Sequence, residues 1–146
     1  MPDALTITER QTGNNMYTSK TVFKFTNPDG TACHGGTGQW VLPKGNRPGK
    51  WIPVIQGELV PCENGYHLCR PQDLLEWAQS TLWEAEYRGE RITESDKIVV
   101  RQARLLRPVT TWNDRNLRLF ACDCAGRAVA LIEKPDPRSV AAIEVA

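Results

Sequence analysis

The stretch C-E-N-G-Y-H-L-C-R-P-Q-D-L-L-E-W-A-Q-S-T-L-W-E-A-E-Y-R-G, residues Cys62–Gly89, decides how the chain is read. It reads as strand, proline-started helix, strand. Tyr66-His67-Leu68 is a short strand, and Pro71 suits a first helical turn because its missing amide would go unpaired there. Leu74, Leu75, Trp77 and Ala78 supply an apolar stripe, with Asp73 near the positive helix start. Over Leu82–Arg88 the period is two: Trp83, Ala85 and Tyr87 face one way, and Glu84, Glu86 and Arg88 the other.

Outward from this centre, Val22–Thr26 is the first convincing strand, closed by the turn Asn27-Pro28-Asp29-Gly30. Residues 1–20 are polar and aperiodic and read as a loosely held arm, with a short edge strand at Leu5–Thr8. Between Asn27 and Cys62 lie seven of the eleven glycines and five of the ten prolines. Two Trp–apolar–Pro units, at Trp40–Pro43 and Trp51–Pro53, fit short strands ended by proline. The basic loop Lys44–Lys50 between them has two readings. One is a hairpin whose tryptophans cap the core. The other is a loop that presents Lys44, Arg47 and Lys50 to an anion such as phosphate.

Downstream, Gly89-Glu90 reads as a turn, and a strand follows from Lys97 to about Leu106. Its Ile98-Val99-Val100 centre is apolar on both faces, as in a strand covered on both sides. Arg101, Arg104 and Arg107 do not keep one strand face, which predicts a bulge or a strand end. Asn113 is a helix N-cap for a helix from Asp114 to about Lys134. Leu117, Phe120, Ala121, Cys124, Ala128 and Leu131 share one face aimed at a core. Asp136-Pro137 starts a last short helix through Val145. The expected class is α+β: a small twisted, mainly antiparallel sheet packed against two helices, those starting at Pro71 and Asp114. The expected organisation is the arm at 1–20, one domain at 21–134, and a short helix or tail at 135–146.

At 146 residues with a net charge of +1, the chain has no strong overall nucleic-acid signal, although a local basic face remains open. No apolar run reaches the roughly 18 residues of a membrane span, and residues 1–10 lack a secretory pattern. The expectation is a cytoplasmic protein whose five cysteines stay reduced. The cysteines and histidines Cys33-His34, Cys62, His67, Cys69 and Cys122-x-Cys124 allow a structural zinc site to be sketched. No C-x-x-C pair supports it, so no metal is expected. A Cys–His nucleophile pair, His67 with Cys33 or His34 with Cys62, has no local signature.

On the polar strand face, Glu84 and Glu86 would lie about 7 Å apart, a spacing that suits paired-carboxylate chemistry. A solvated run of alternating charges has the same pattern. Two functional classes therefore stay open, an enzyme and a non-catalytic binding protein.

Two resemblances bear on that choice. Gly65-Tyr66-His67-Leu68-Cys69, Trp83-Glu84-Ala85-Glu86 with Gly89, and Trp112-Asn113 with Leu119-Phe120-Ala121-Cys122 resemble an uncharacterised family of small bacteriophage and actinobacterial proteins. This implies a phage or mobile-element setting. The Gly65–Gly89 layout, with Glu76-Trp77-Ala78 closing its helix, also resembles the central motif of the ADP-ribosyltransferase fold. That resemblance implies an NAD-binding module with His67, Glu84 and Glu86 as catalytic residues. It also implies Lys24, Tyr66, Cys69 and Arg88 as cofactor-binding residues. The alternative is an accessory protein that binds a host or virion protein, with Trp40 and Trp51 as its contact surface.

Overall fold

In the computed structural model, the backbone of Glu9–Gln11 and residues 21–145 are described. The expected edge strand at Leu5–Thr8 lies outside them. Five strands and two helices follow in order: β1 (Glu9–Gln11), β2 (Val22–Thr26), β3 (Tyr66–Leu68), β4 (Thr81–Thr93), β5 (Ile98–Pro108), α1 (Asp114–Val129) and α2 (Pro137–Glu144). The described residues divide into two compact units, one up to Val109 and one from Thr110.

The first unit is built on β4 and β5, which pair antiparallel along most of their length. The far side of β4 is shared, with β2 on its first half and β1 on its second. β3 pairs with the start of β5. The sheet then curls until its edges meet: Phe23 and Cys69 exchange two main-chain hydrogen bonds of 2.8 Å each. This closure joins strands that are far apart in sequence and leaves β2 and β3 side by side.

The alternation read over Leu82–Arg88 is present. Trp83 and Ala85 are buried, and Glu84 and Glu86 face outward into ion pairs. The turn expected at Gly89-Glu90 is instead a bulge within a continuous strand. Gly89 and Glu90 together oppose Arg101 alone, and Gly89 takes the positive φ of 82° that such a bulge favours. A second register shift, between Glu84 and Ala85, makes Leu106 the extra residue on β5 and lets Arg104 and Arg107 both meet the carboxylates of β4.

β5 is covered on both faces, as its sequence requires. Ile98 and Val100 enter the main core with Val22, Trp40, Leu68 and Leu105, while Val99 packs on the other side with Leu59 and Ile92. Burying each such side chain contributes about 1.5–3 kcal/mol. The cover comes from the glycine- and proline-rich segment. Gly49, Ile52 and Ile55 donate main-chain hydrogen bonds to Leu105, Ala103 and Arg101 along β5. Gly49 is needed for this approach, because a Cβ there would lie 2.0 Å from the Val41 carbonyl oxygen. Trp40 is therefore core rather than exposed contact surface, a correction to the reading that put both tryptophans on an interface.

The helix expected from Pro71 is a single 3₁₀ turn, Pro71–Asp73. The Asp73 carboxylate, almost fully buried, accepts from the Arg70 main-chain N–H and from its guanidinium, which pulls the chain into a tight turn. Leu75 is 64% exposed, so the apolar stripe has no surface to cover.

In the second unit, Asn113 caps α1 by accepting from the Asn116 N–H, and Asp136 caps α2 by accepting from the Arg138 N–H. α1 ends at Val129, short of Lys134, and no residue of either helix is buried. The face expected to meet a core does not bury itself; Leu119 and Phe120 are about half exposed. Among the described residues, no helix is long and apolar enough to cross a membrane.

Candidate functional site

Ring closure sets β2 and β3 side by side at one end of the first unit. There the chain leaves a cavity of about 540 Å³, within the size range of small-molecule sites. Lys24 comes from β2, and Tyr66 and His67 from β3, with Cys69 just beyond. Further walls include the glycine-rich loop Cys33–Gly38, the turn at Cys62–Gly65, Trp40, Trp77, and Lys97 just before β5.

Lys24 is the central group. Its Nζ donates to the His67 main-chain oxygen at 3.0 Å and lies 5.2 Å from the Trp40 ring centroid. It makes no ion pair with any carboxylate among the described residues. Burial therefore pushes its pKa down from 10.5, since a desolvated ammonium without a counter-charge is costly. Its neighbours Cys33 and Cys69 do not supply that charge. Burial raises both thiols, Cys69 to about 12, so they stay protonated.

His67 is held in one tautomer. Its Nε2 accepts from the Cys62 N–H at 3.0 Å, so the neutral ring carries its proton on Nδ1. Burial, with the nearby Lys24 and Lys97 charges, lowers its pKa from 6.5 to about 4. The imidazole is thus neutral at physiological pH. The Cys62 amide is aimed at it by a left-handed backbone, φ 65°. The turn is tied to the preceding loop by Asn64, whose side-chain amide donates to the Gln56 and Glu58 carbonyl oxygens.

A second wall centres on Trp77. Its indole N–H donates to the Asp96 carbonyl oxygen at 2.8 Å, and Lys97 Nζ lies 5.0 Å from its ring. His34 packs edge-on against the indole, and its Nε2 lies 2.9 Å from the Trp77 carbonyl oxygen. A carbonyl only accepts, so Nε2 carries the proton. Burial opposes the Lys97 charge, but Asp96 and Cys62 outweigh it and raise its pKa.

The structure brings together four expected site residues, Lys24, Tyr66, His67 and Cys69, around one cavity. It places Glu84, Glu86 and Arg88 elsewhere. Glu84 pairs with Arg107 and Glu86 with Arg104, while Arg88 donates to Gln102 Oε1. None of the three lines the cavity, where Glu63 is the lining carboxylate. The sequence reading did not place Lys97 or Trp77 at a site, and it named Cys33 and His34 only as zinc or nucleophile candidates, not as part of a glycine-rich wall. Three glycines within C-H-G-G-T-G were the available signal for that wall. Among the described residues, no group of three His, Cys, Asp or Glu side chains could hold a metal ion.

The chemistry on offer is binding of an anionic, partly planar ligand, with two ammonium groups, two aromatic walls and a glycine-rich loop able to approach closely. An anion would bring Lys24 the negative charge that no carboxylate among the described residues supplies. Comparison with known proteins finds no matching family model, no similar curated protein and no similar solved structure.

Proposed function

We propose that the protein is a nucleotide-binding module whose ligand, NAD or a smaller nucleotide, occupies the cavity between β2 and β3. The observation that carries this reading is Lys24: a buried ammonium lining the cavity without a carboxylate partner among the described residues. A ligand phosphate would supply the missing counter-charge, with Lys97 as a second contact and Trp77 and Tyr66 as walls for a ring. Adenosine diphosphate-ribosyl transfer is the enzymatic form of this reading. It would draw its carboxylate from Glu63, because Glu84 and Glu86 are committed to arginines away from the cavity.

Thermal unfolding with millimolar NAD, ADP and inorganic phosphate tests the reading. A ligand that binds only the native state raises the melting temperature. The expected result is a rise with nucleotide that Lys24→Met removes. No rise with any of the three would overturn the proposal.

A second reading, a phage or mobile-element accessory protein that binds a host or virion protein, draws support from the helical unit. There Leu131 and Val145 are more than four-fifths exposed. Nucleotide-independent co-purification of one protein, lost on Leu131→Asp, is its expected result; retention of that protein by the variant counts against it.

A further inference from the structure

Along the outer face of β4 and β5 and the loop bonded to the β5 edge, positive charge outnumbers negative. Lys44, Arg47 and Lys50 are exposed on the loop that leads into the β5 edge. This loop is closed by two 3.0 Å main-chain hydrogen bonds between Lys44 and Arg47, and it is anchored where Gly49 donates to the Leu105 carbonyl oxygen. Arg104 and Arg107 extend from the strand beside that anchor, and Arg88 from β4 opposite Gln102. Against these six cations stand two carboxylates, Glu84 and Glu86. The face thus holds a surplus of four positive charges on a chain whose total is +1, so the remainder is net −3. The neighbouring Arg101–Glu90 pair adds nothing to the balance.

Four of these cations, Lys44, Arg47, Lys50 and Arg88, make no ion pair among the described residues. Beside them two guanidinium groups contact one tryptophan ring. The half-buried Trp51 ring has the Arg88 guanidinium 4.2 Å and the Arg104 guanidinium 4.7 Å from its centroid. Arg104 is held by Glu86 and Arg88 by the Gln102 side chain, which itself donates to the Ile52 carbonyl oxygen. Guanidinium groups held against an indole give a cationic, aromatic surface on which unpaired bases can stack, flanked by lysine and arginine charges for phosphates. An acidic peptide would use the charges but not the aromatic surface.

We propose that this face binds single-stranded nucleic acid, with phosphates meeting Lys44, Arg47 and Lys50 and bases lying on the Arg88–Trp51–Arg104 surface. It is a different site from the nucleotide cavity, and none of these residues lines that cavity.

Fluorescence anisotropy with a labelled single-stranded oligonucleotide of about 16 nucleotides, titrated at several salt concentrations, tests this. The three cations that meet phosphates predict a slope of log affinity against log salt of about −2.1, and replacing all three, as K44A/R47A/K50A, should bring it to about zero. Trp51→Ala should weaken binding by about ten-fold at any salt. Because Trp51 is half-buried, the surface variant Arg88→Gln, expected to weaken binding in the same direction, is measured beside it. No binding at low salt, an unchanged slope in the triple variant, or full affinity in Arg88→Gln would overturn the proposal. So would a polyglutamate peptide or a duplex of the same length that binds as tightly as the single strand.

Discussion

Lys24 Nζ donates to the His67 main-chain oxygen at 3.0 Å, across 43 residues of chain, and this bond ties β2 to β3 at the floor of the cavity. Burial disfavours charge on both residues, and the Lys24 charge further disfavours protonation of the imidazole. The site therefore holds one ammonium without a counter-ion and one histidine kept neutral.

Replacing Lys24 by Met should stabilise the ligand-free protein by about 1 kcal/mol at pH 7, because an unpaired buried charge costs more than a thioether. A folded-state pKa below 10.5 means that the unfolded chain holds the proton more tightly. The wild-type penalty is therefore full below the folded pKa and fades as pH rises towards 10.5. Urea denaturation at pH 7 and pH 10 should show the gap between variant and wild type narrowing; a gap that widens counts against an unpaired charge.

The His67 pKa of about 4, against 6.5 in the unfolded chain, sets an acid limb. The unfolded state gains its proton first, so stability is lost as pH falls from 6.5 to about 4. With the partial exposure of the ring discounted, the loss is about 1–2 kcal/mol. His67→Gln should lack that limb in denaturation curves across this range, while its side-chain oxygen can still accept from Cys62.

Two arginine truncations should differ sharply. Arg70→Ala strips a buried carboxylate, Asp73, of its guanidinium and should cost about 3 kcal/mol. Arg107→Ala removes a partner of Glu84 whose own side chain is 70% exposed, and should cost under about 1 kcal/mol. Chemical denaturation of both variants checks the order; equal losses would count against the buried pair as an anchor.

Inside the core, the Trp83 indole N–H donates to Thr26 Oγ1 at 2.9 Å, and that hydroxyl donates its own hydrogen bond to the Asn27 carbonyl oxygen. Thr26 is fully buried. Trp83→Phe removes the donor and leaves a smaller ring, and should cost about 2–4 kcal/mol. A parallel Thr26→Val measurement gives the coupling, expected to exceed about 0.5 kcal/mol in a double-mutant cycle.

The sequence alone settled what depends on neighbours a few residues apart. Alternation over Leu82–Arg88, the two-faced Ile98–Val100 run, and the caps at Asn113 and Asp136 are set by the strand and helix periods and by local hydrogen bonding, and all are present in the structure. Tertiary structure decided the rest. Whether Pro71 begins a helix depended on Arg70 capturing Asp73, and whether Trp40 is surface or core depended on the loop segment folding over β5. The fate of Glu84 and Glu86 depended on β5, since the β4–β5 register places Arg107 and Arg104 opposite them. The cavity itself exists because Phe23 meets Cys69. No local pattern encodes that contact, because it follows from the twist of a whole sheet closing on itself.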